Sequence, residues 1–183
     1  YTSPHLKDFR ERIKIDGKWI EENFIVSFVE KMKDVSEKIS PSFFELTVVM
    51  ALQYFADQRV DIAIIETGLG GRLDRTNVIP PLLSIITNIG SDHINILGDT
   101  LEKIAFEKAG IIKPGIPVVI GETVEETKKV FEKKSTETNS KIFYSNENFE
   151  IISSKGDLKY LELEILIKIT KLNNNYLLDL NGI

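Results

Sequence analysis

Glu66 closes the apolar run VDIAII, and His93 follows the run LLSIITNI within TNIGSDHINILGD. A carboxylate and an imidazole both bind divalent metals. At neighbouring strand ends they can hold a hard cation that bridges phosphate oxygens. Each has an ordinary reading too: Glu66 as a helix cap or a partner of Arg72, His93 as a loop histidine. Their similar placement is what makes them worth considering together. Ser3 and His5, in YTSPHL, set a hydroxyl and an imidazole around a proline-fixed turn. Serine oxygen suits Mg²⁺ or phosphate, and Ser-Pro is equally an ordinary turn starter.

The glycines of TGLGG, directly after Glu66, permit positive φ and close backbone approach. Phosphate-cradling loops need that freedom, as does any tight turn. The run lacks the lysine of the phosphate-loop pattern GxxxxGK[ST], which no other segment supplies. Lys108, beside Glu107 in the amphipathic stretch LEKIAFEKAG, reads on pattern alone as a solvated surface lysine.

These groups need elements to position them. VDIAII and LLSIITNI are short, continuous β-branched runs, the mark of strands covered on both faces of a parallel sheet. In such sheets ligands collect beyond the carboxyl ends of the strands, where loops and helix N-termini converge. RIKIDGKWI predicts a hairpin turning at Asp16-Gly17. A helix follows, with Phe24, Ile25, Phe28, Val29, Met32 and Val35 on one stripe. SFFELTVVMALQYFADQ predicts a helix buried around most of its circumference. Asp99 or Thr100 can cap LEKIAFEKA, which Gly110 ends. IPVVIG predicts another buried strand, VEETKKVFEKK a polar helix and KIFY a short strand. From about Phe149 the pattern alternates and turns at Asn173 to Asn175, as in an antiparallel hairpin or small sheet. Helix and strand alternate before that point, so the fold class is α/β, a mostly parallel sheet flanked by helices.

The chain has 183 residues, 42% of them hydrophobic, enough for a sizeable core. A net charge of -5 argues against a nucleic-acid partner. The absence of cysteine excludes disulfides and thiolate metal sites. No apolar run reaches the ~18 residues of a membrane span, so the expectation is a cytoplasmic protein without a membrane partner. The sequence opens at Tyr1 inside a structured motif and stops after LDLNGI. That reads as a piece of a longer protein. Its oligomeric state is not legible.

YTSPHLKDFRERIKIDG, ETGLGGRLDRTNV, SDHINILGDTLEKIAFEKAGIIKPG and PVVIG, in this order from Tyr1 to about Gly121, resemble signature stretches of folylpolyglutamate synthase and dihydrofolate synthase. These form the folate branch of the Mur ligase superfamily. The resemblance implies one incomplete central ATPase domain over residues 1–183, an α/β body to about 145 and a β-rich extension over about 146–183. The family's phosphate loop would lie upstream and its C-terminal domain downstream, so the ATP-binding residues are unknown here.

The resemblance also implies a reaction. ATP phosphorylates a dihydropteroate or reduced-folate carboxylate, and L-glutamate attacks the acyl phosphate; Mg²⁺ and cationic groups neutralise the phosphates. By motif position Ser3, Glu66 and His93 correspond to the Mg²⁺ ligands, His93 also standing among the catalytic residues. Lys108 matches a lysine that many members carbamylate, converting a cation into a carboxylate-like anion. Ser42, Phe43, Phe44 and Glu45, with Leu73, Asp74 and Arg75, fall where the family contacts the pterin. Phe43 and Phe44 either pack against that heterocycle or belong to a helix core. Arg75 stands where related bacterial enzymes often have a small residue. Mg²⁺ and ATP are expected in the full-length enzyme, with little metal held by this stretch alone, which should be inactive by itself. The competing readings are a cell-wall Mur ligase and a non-catalytic binding domain that kept the fold.

Overall fold

The computed structural model of this chain describes residues 1–90, 98–122, 124–156, 160–167 and 172–179. The chain forms two compact units, Tyr1–Ile79 and Pro80–Ile183.

In the first unit a 3-10 turn, Phe9–Arg12, leads into strands β1 (Lys14–Ile15) and β2 (Lys18–Trp19). Asp16 and Gly17 have φ of 50° and 76°, the two left-handed residues of a hairpin loop whose twist matches its strands. Helices α1 (Glu22–Ile39) and α2 (Phe43–Asp57) follow, separated by Ser40 at φ 49° and Pro41. Phe28 packs with Met50, Ala51, Tyr54 and Phe55, while Phe24, Ile25 and Met32 flank that core. Val29 and Val35, expected on the same stripe, are exposed. The stripe is broader than the contact it makes. Val49 of α2 is likewise exposed, so α2 is buried on one side rather than around most of its circumference.

The run Val60 to Ile65 is not assigned as a strand; Ile62 and Ile64 are 75% and 83% exposed. The reason is pairing rather than propensity. A β-branched run becomes a strand only where another backbone offers donors and acceptors. Among the described residues no strand pairs with this run: the Tyr1 nitrogen donates to the Ile64 carbonyl (2.8 Å), the Tyr1 carbonyl accepts from the Glu66 N–H (3.0 Å), and the Val60 N–H turns back to the Phe55 carbonyl (3.2 Å).

The second unit alternates as expected: β3 (Ser84–Ile86), α3 (Leu101–Ala109), β4 (Val118–Ile120), α4 (Glu125–Glu137) and β5 (Ile142–Tyr144). The sheet order is β3-β4-β5, all parallel, with Ile86 opposite Ile120 and Ile120 opposite Tyr144. Ile86, Val118 and Ile120 are buried with Ala105, Ala109 and Phe131 of the helices. Thr100 is the cap of α3, accepting from the Lys103 N–H at 3.3 Å, while Asp99 pairs with the Lys103 ammonium at 2.7 Å. Gly110 does end the helix, at a right-handed φ of -61°. Beyond β4, a Cβ on Gly121 would lie 2.2 Å from the Thr87 carbonyl oxygen, a close approach that only glycine permits.

A short helix, α5 (Ser145–Asn148), precedes an antiparallel meander of β6 (Phe149–Gly156), β7 (Tyr160–Ile167) and β8 (Leu172–Asp179). Asn173, Asn174 and Asn175 do not turn; they pair with Leu166, Ile165 and Glu164. Pairing with β7 holds their backbone extended, and this outweighs the turn preference of asparagine. The fold class is α/β with a parallel sheet flanked by helices and an added antiparallel sheet.

Candidate functional site

The first unit draws the ends of three motifs together. The extended chain delivers Glu66 beside the opening residues, where the Ser3 N–H donates to its Oε2 at 2.9 Å. The Thr2 hydroxyl donates to the same oxygen. Thr2 is held in turn by its own N–H, which donates to the Arg12 carbonyl at 2.9 Å. Ser3 and Glu66 are thus neighbours, as the metal reading requires. Thr2 was missed by the sequence reading; its only signal was a hydroxyl next to Ser3-Pro4.

Past Glu66 the chain turns through Gly68 and Gly70. A Cβ on Gly68 would stand 2.4 Å from Cζ of Phe44 and 3.2 Å from Oδ2 of Asp74, so the ring lies directly on the turn. Gly70 has φ of 69°, in the left-handed region. Asp74 closes the turn: Oδ2 accepts from the Leu69 N–H (2.8 Å) and Oδ1 from the Thr76 N–H (2.9 Å). The Thr76 hydroxyl donates to Oδ1 as well. Both oxygens of Asp74 therefore serve the loop.

Ser42 and Glu45 form a capping box at the start of α2. The Ser42 N–H and hydroxyl each donate to Glu45 Oε2 at 2.8 Å, and Arg75 Nε meets Glu45 Oε1 at 3.0 Å. Ser42's donors, ahead of the charge of Arg75, hold the Glu45 carboxyl below its ordinary range. Glu45 accordingly joins the beginning of α2 to the Leu73–Arg75 side of the loop.

The aromatic pair divides. Phe44 is half-buried and edge-on to Tyr1 at 6.2 Å. Phe43 is 60% exposed and meets Phe9 at 5.9 Å. The Arg12 guanidinium carbon sits 5.5 Å over the Phe43 ring, and Arg12 Nε donates to His5 Nδ1 at 2.8 Å. Arg12 is buried, a role the sequence reading missed. Leu73, 70% exposed, and Phe43 offer apolar surface to a flat ligand.

Lys108 belongs to the second unit, in the last turn of α3, where it is half-buried rather than fully solvated. His93 lies outside the described residues. Among those described, no three His, Cys, Asp or Glu side chains form a metal-holding group. One carboxylate and one hydroxyl nonetheless fit Mg²⁺, which takes hard oxygen ligands and uses one or two carboxylates alongside waters and phosphate oxygens. Glu66 Oε2 is committed to Thr2 and Ser3, and among the described residues none bonds to the other carboxylate oxygen.

Residues 19–180 match the Mur ligase middle domain. The dihydrofolate synthase/folylpolyglutamate synthase of Bacillus subtilis is 48% identical over 137 residues, 71% of this chain and 32% of that protein. A folylpolyglutamate synthase structure from Thermotoga maritima superposes with a TM-score of 0.82 at 37% identity, covering 96% of this chain and 40% of that one. A solved FPGS-AMPPCP-folate complex gives 0.85 at 34% identity, covering 92% and 43%. The chain therefore spans about a third of the length of the Bacillus relative it matches.

Proposed function

This chain belongs to the Mur ligase middle-domain family, and from that we propose that it is the central part of an ATP-dependent ligase joining L-glutamate to dihydropteroate, to folates or to both. Its relatives carry the names folylpolyglutamate synthase and dihydrofolate synthase, and one was solved with AMPPCP and folate. The observation that carries the reading is the convergence on Glu66 of Thr2 and Ser3, beside a glycine turn packed on Phe44.

The acceptor carboxylate takes the terminal phosphoryl group of ATP, and the amine of L-glutamate displaces phosphate from the acyl phosphate. Ser3, Glu66 and His93 are the residues that would hold Mg²⁺, which when bound supplies positive charge against the phosphates. Thr2 and the Ser3 N–H orient the Glu66 carboxylate. Asp74 holds the turn that carries Leu73 and Arg75, and Glu45 fixes Arg75. Phe43, Phe44 and Leu73 offer the pterin its apolar faces. Ser42 caps the helix that presents both phenylalanines. Lys108, in the last turn of α3, is the lysine that would be carbamylated.

Residues 1–183 form part of one central ATPase domain in a cytoplasmic enzyme. The phosphate loop and the C-terminal domain that complete the site lie outside this chain, which does not ligate by itself. The test is to supply the full-length protein with ATP, Mg²⁺, L-glutamate and either dihydropteroate or a reduced folate. Glutamylated product from at least one acceptor is expected. No product from either, with turnover of a cell-wall peptide precursor, would overturn the assignment; no ligation of any acceptor would point to a binding domain instead.

A further inference from the structure

We propose that Thr2 is a positioning residue for Glu66: its hydroxyl, with the Ser3 N–H, commits one carboxylate oxygen to the protein, so that Glu66 presents a single oxygen to a divalent cation. The inference rests on the reading of Glu66 as a metal ligand. Both donors converge on Oε2. The backbone around Thr2 is anchored without help from its side chain. Tyr1 is bonded to Ile64 and Glu66 on one side, and the Thr2 N–H reaches the Arg12 carbonyl on the other. The hydroxyl is thereby aimed at Glu66 by a framework that survives its removal.

The consequence is selectivity. Ca²⁺ accommodates bidentate carboxylates and irregular ligand sets, whereas Mg²⁺ demands a near-ideal octahedron with one oxygen from each carboxylate group. A glutamate with one oxygen already occupied by two donors resists the bidentate mode. Thr2 thus biases the site toward Mg²⁺, and toward Mn²⁺ as its spectroscopic substitute, against Ca²⁺.

The test is Mn²⁺ binding to the full-length protein, read by electron paramagnetic resonance with a non-hydrolysable ATP analogue present, followed by competition with Mg²⁺ and Ca²⁺. Thr2→Val should weaken Mn²⁺ binding about tenfold, the lower end for losing a group that orients a metal ligand. It should also narrow the Mg²⁺-over-Ca²⁺ preference, and Thr2→Ser should restore both. Thr2→Ala against Thr2→Ser repeats the comparison without the branched methyl, should the valine protein not fold. Wild-type Mn²⁺ binding in the hydroxyl-free proteins, or failure of serine to restore it, overturns the role of Thr2. Glu66→Gln separates the two ideas. If it loses Mn²⁺ while Thr2→Val does not, only the Thr2 proposal falls; if Glu66→Gln also binds like wild type, the reading of Glu66 as a ligand falls as well.

Discussion

Glu66 and Asp74 stand at the two ends of one glycine-rich turn, and the molecule uses their carboxylates differently. Glu66 is exposed, with donors from Thr2 and Ser3 gathered on one oxygen. Asp74 is half-buried and accepts on both oxygens, from Leu69 and from Thr76. A carboxylate whose hydrogen-bonding capacity is spent inside a loop contributes to the fold, and one held in place with an oxygen to spare can serve a ligand. The difference divides the turn into an end whose carboxylate bonds outside the loop and a structural end whose carboxylate is spent within it.

Glu66→Gln is the strongest way to break this division. It keeps the side chain's size and removes the charge, so on the proposed ligase reading kcat/KM of the full-length protein should fall by about 100-fold or more, the scale of losing an electrostatic stabiliser of phosphoryl transfer. Its melting temperature should stay near that of the wild type. Asp74→Ala should do the reverse, lowering stability by about 2 kcal/mol because it leaves the Leu69 and Thr76 N–H groups without their acceptor. Urea unfolding of both proteins beside their steady-state kinetics checks the pair. Equal loss of stability in the two would erase the distinction.

Gly68→Ala probes the middle of the turn. Its Cβ would fall 2.4 Å from Phe44 Cζ, so the ring has to swing away. A displaced ring end is less costly than displaced backbone, and we expect about 1 kcal/mol, at the low end for overpacking. On the proposed reading, which puts Phe44 on the acceptor side, KM for the folate acceptor should rise more than kcat falls. An unchanged KM would move Phe44 out of the acceptor surface and into the helix core.

The same contrast explains what was legible in the sequence. Val60 to Ile65 and Leu82 to Ile86 look alike as β-branched runs, and only Ser84–Ile86 became a strand. Val118–Ile120 gives the latter a parallel partner, whereas the former pairs with no strand among the described residues. Composition reports suitability for a strand; pairing is a property of distant chain. Asn173 to Asn175 fail for the same reason, since their turn preference yields to the ladder with β7. The hairpin at Asp16-Gly17 and the capped helix α3 were readable because local turn and cap chemistry decides them. Ser3 and Glu66 were readable as residues of a motif. That Thr2 orients one and that Asp74 is consumed by its own turn required coordinates, because no spacing rule distinguishes a spent carboxylate from a free one.

The smallest effect concerns Glu45, which borders the structural end through Arg75. Its carboxyl is held below the ordinary value of 4.5, first by Ser42's backbone and side-chain donors and last by the Arg75 charge. A depressed carboxyl contributes stability that is fully present above its unfolded value and is lost as pH falls through its lower folded one. The loss from this group therefore sets in around pH 4.5 and grows as the pH falls further. Glutamine also completes a capping box but does not titrate. Glu45→Gln should thus match the wild type near neutral pH and lose less stability on acidification, as read from melting temperatures between neutral pH and pH 3. The Arg75 pair is exposed and screened, so added salt should leave most of the difference in place. Parallel curves through the acid range would mean that the cap is not where Glu45 acts, and abolition of the difference by salt would shift its role from the helix cap to the Arg75 pair.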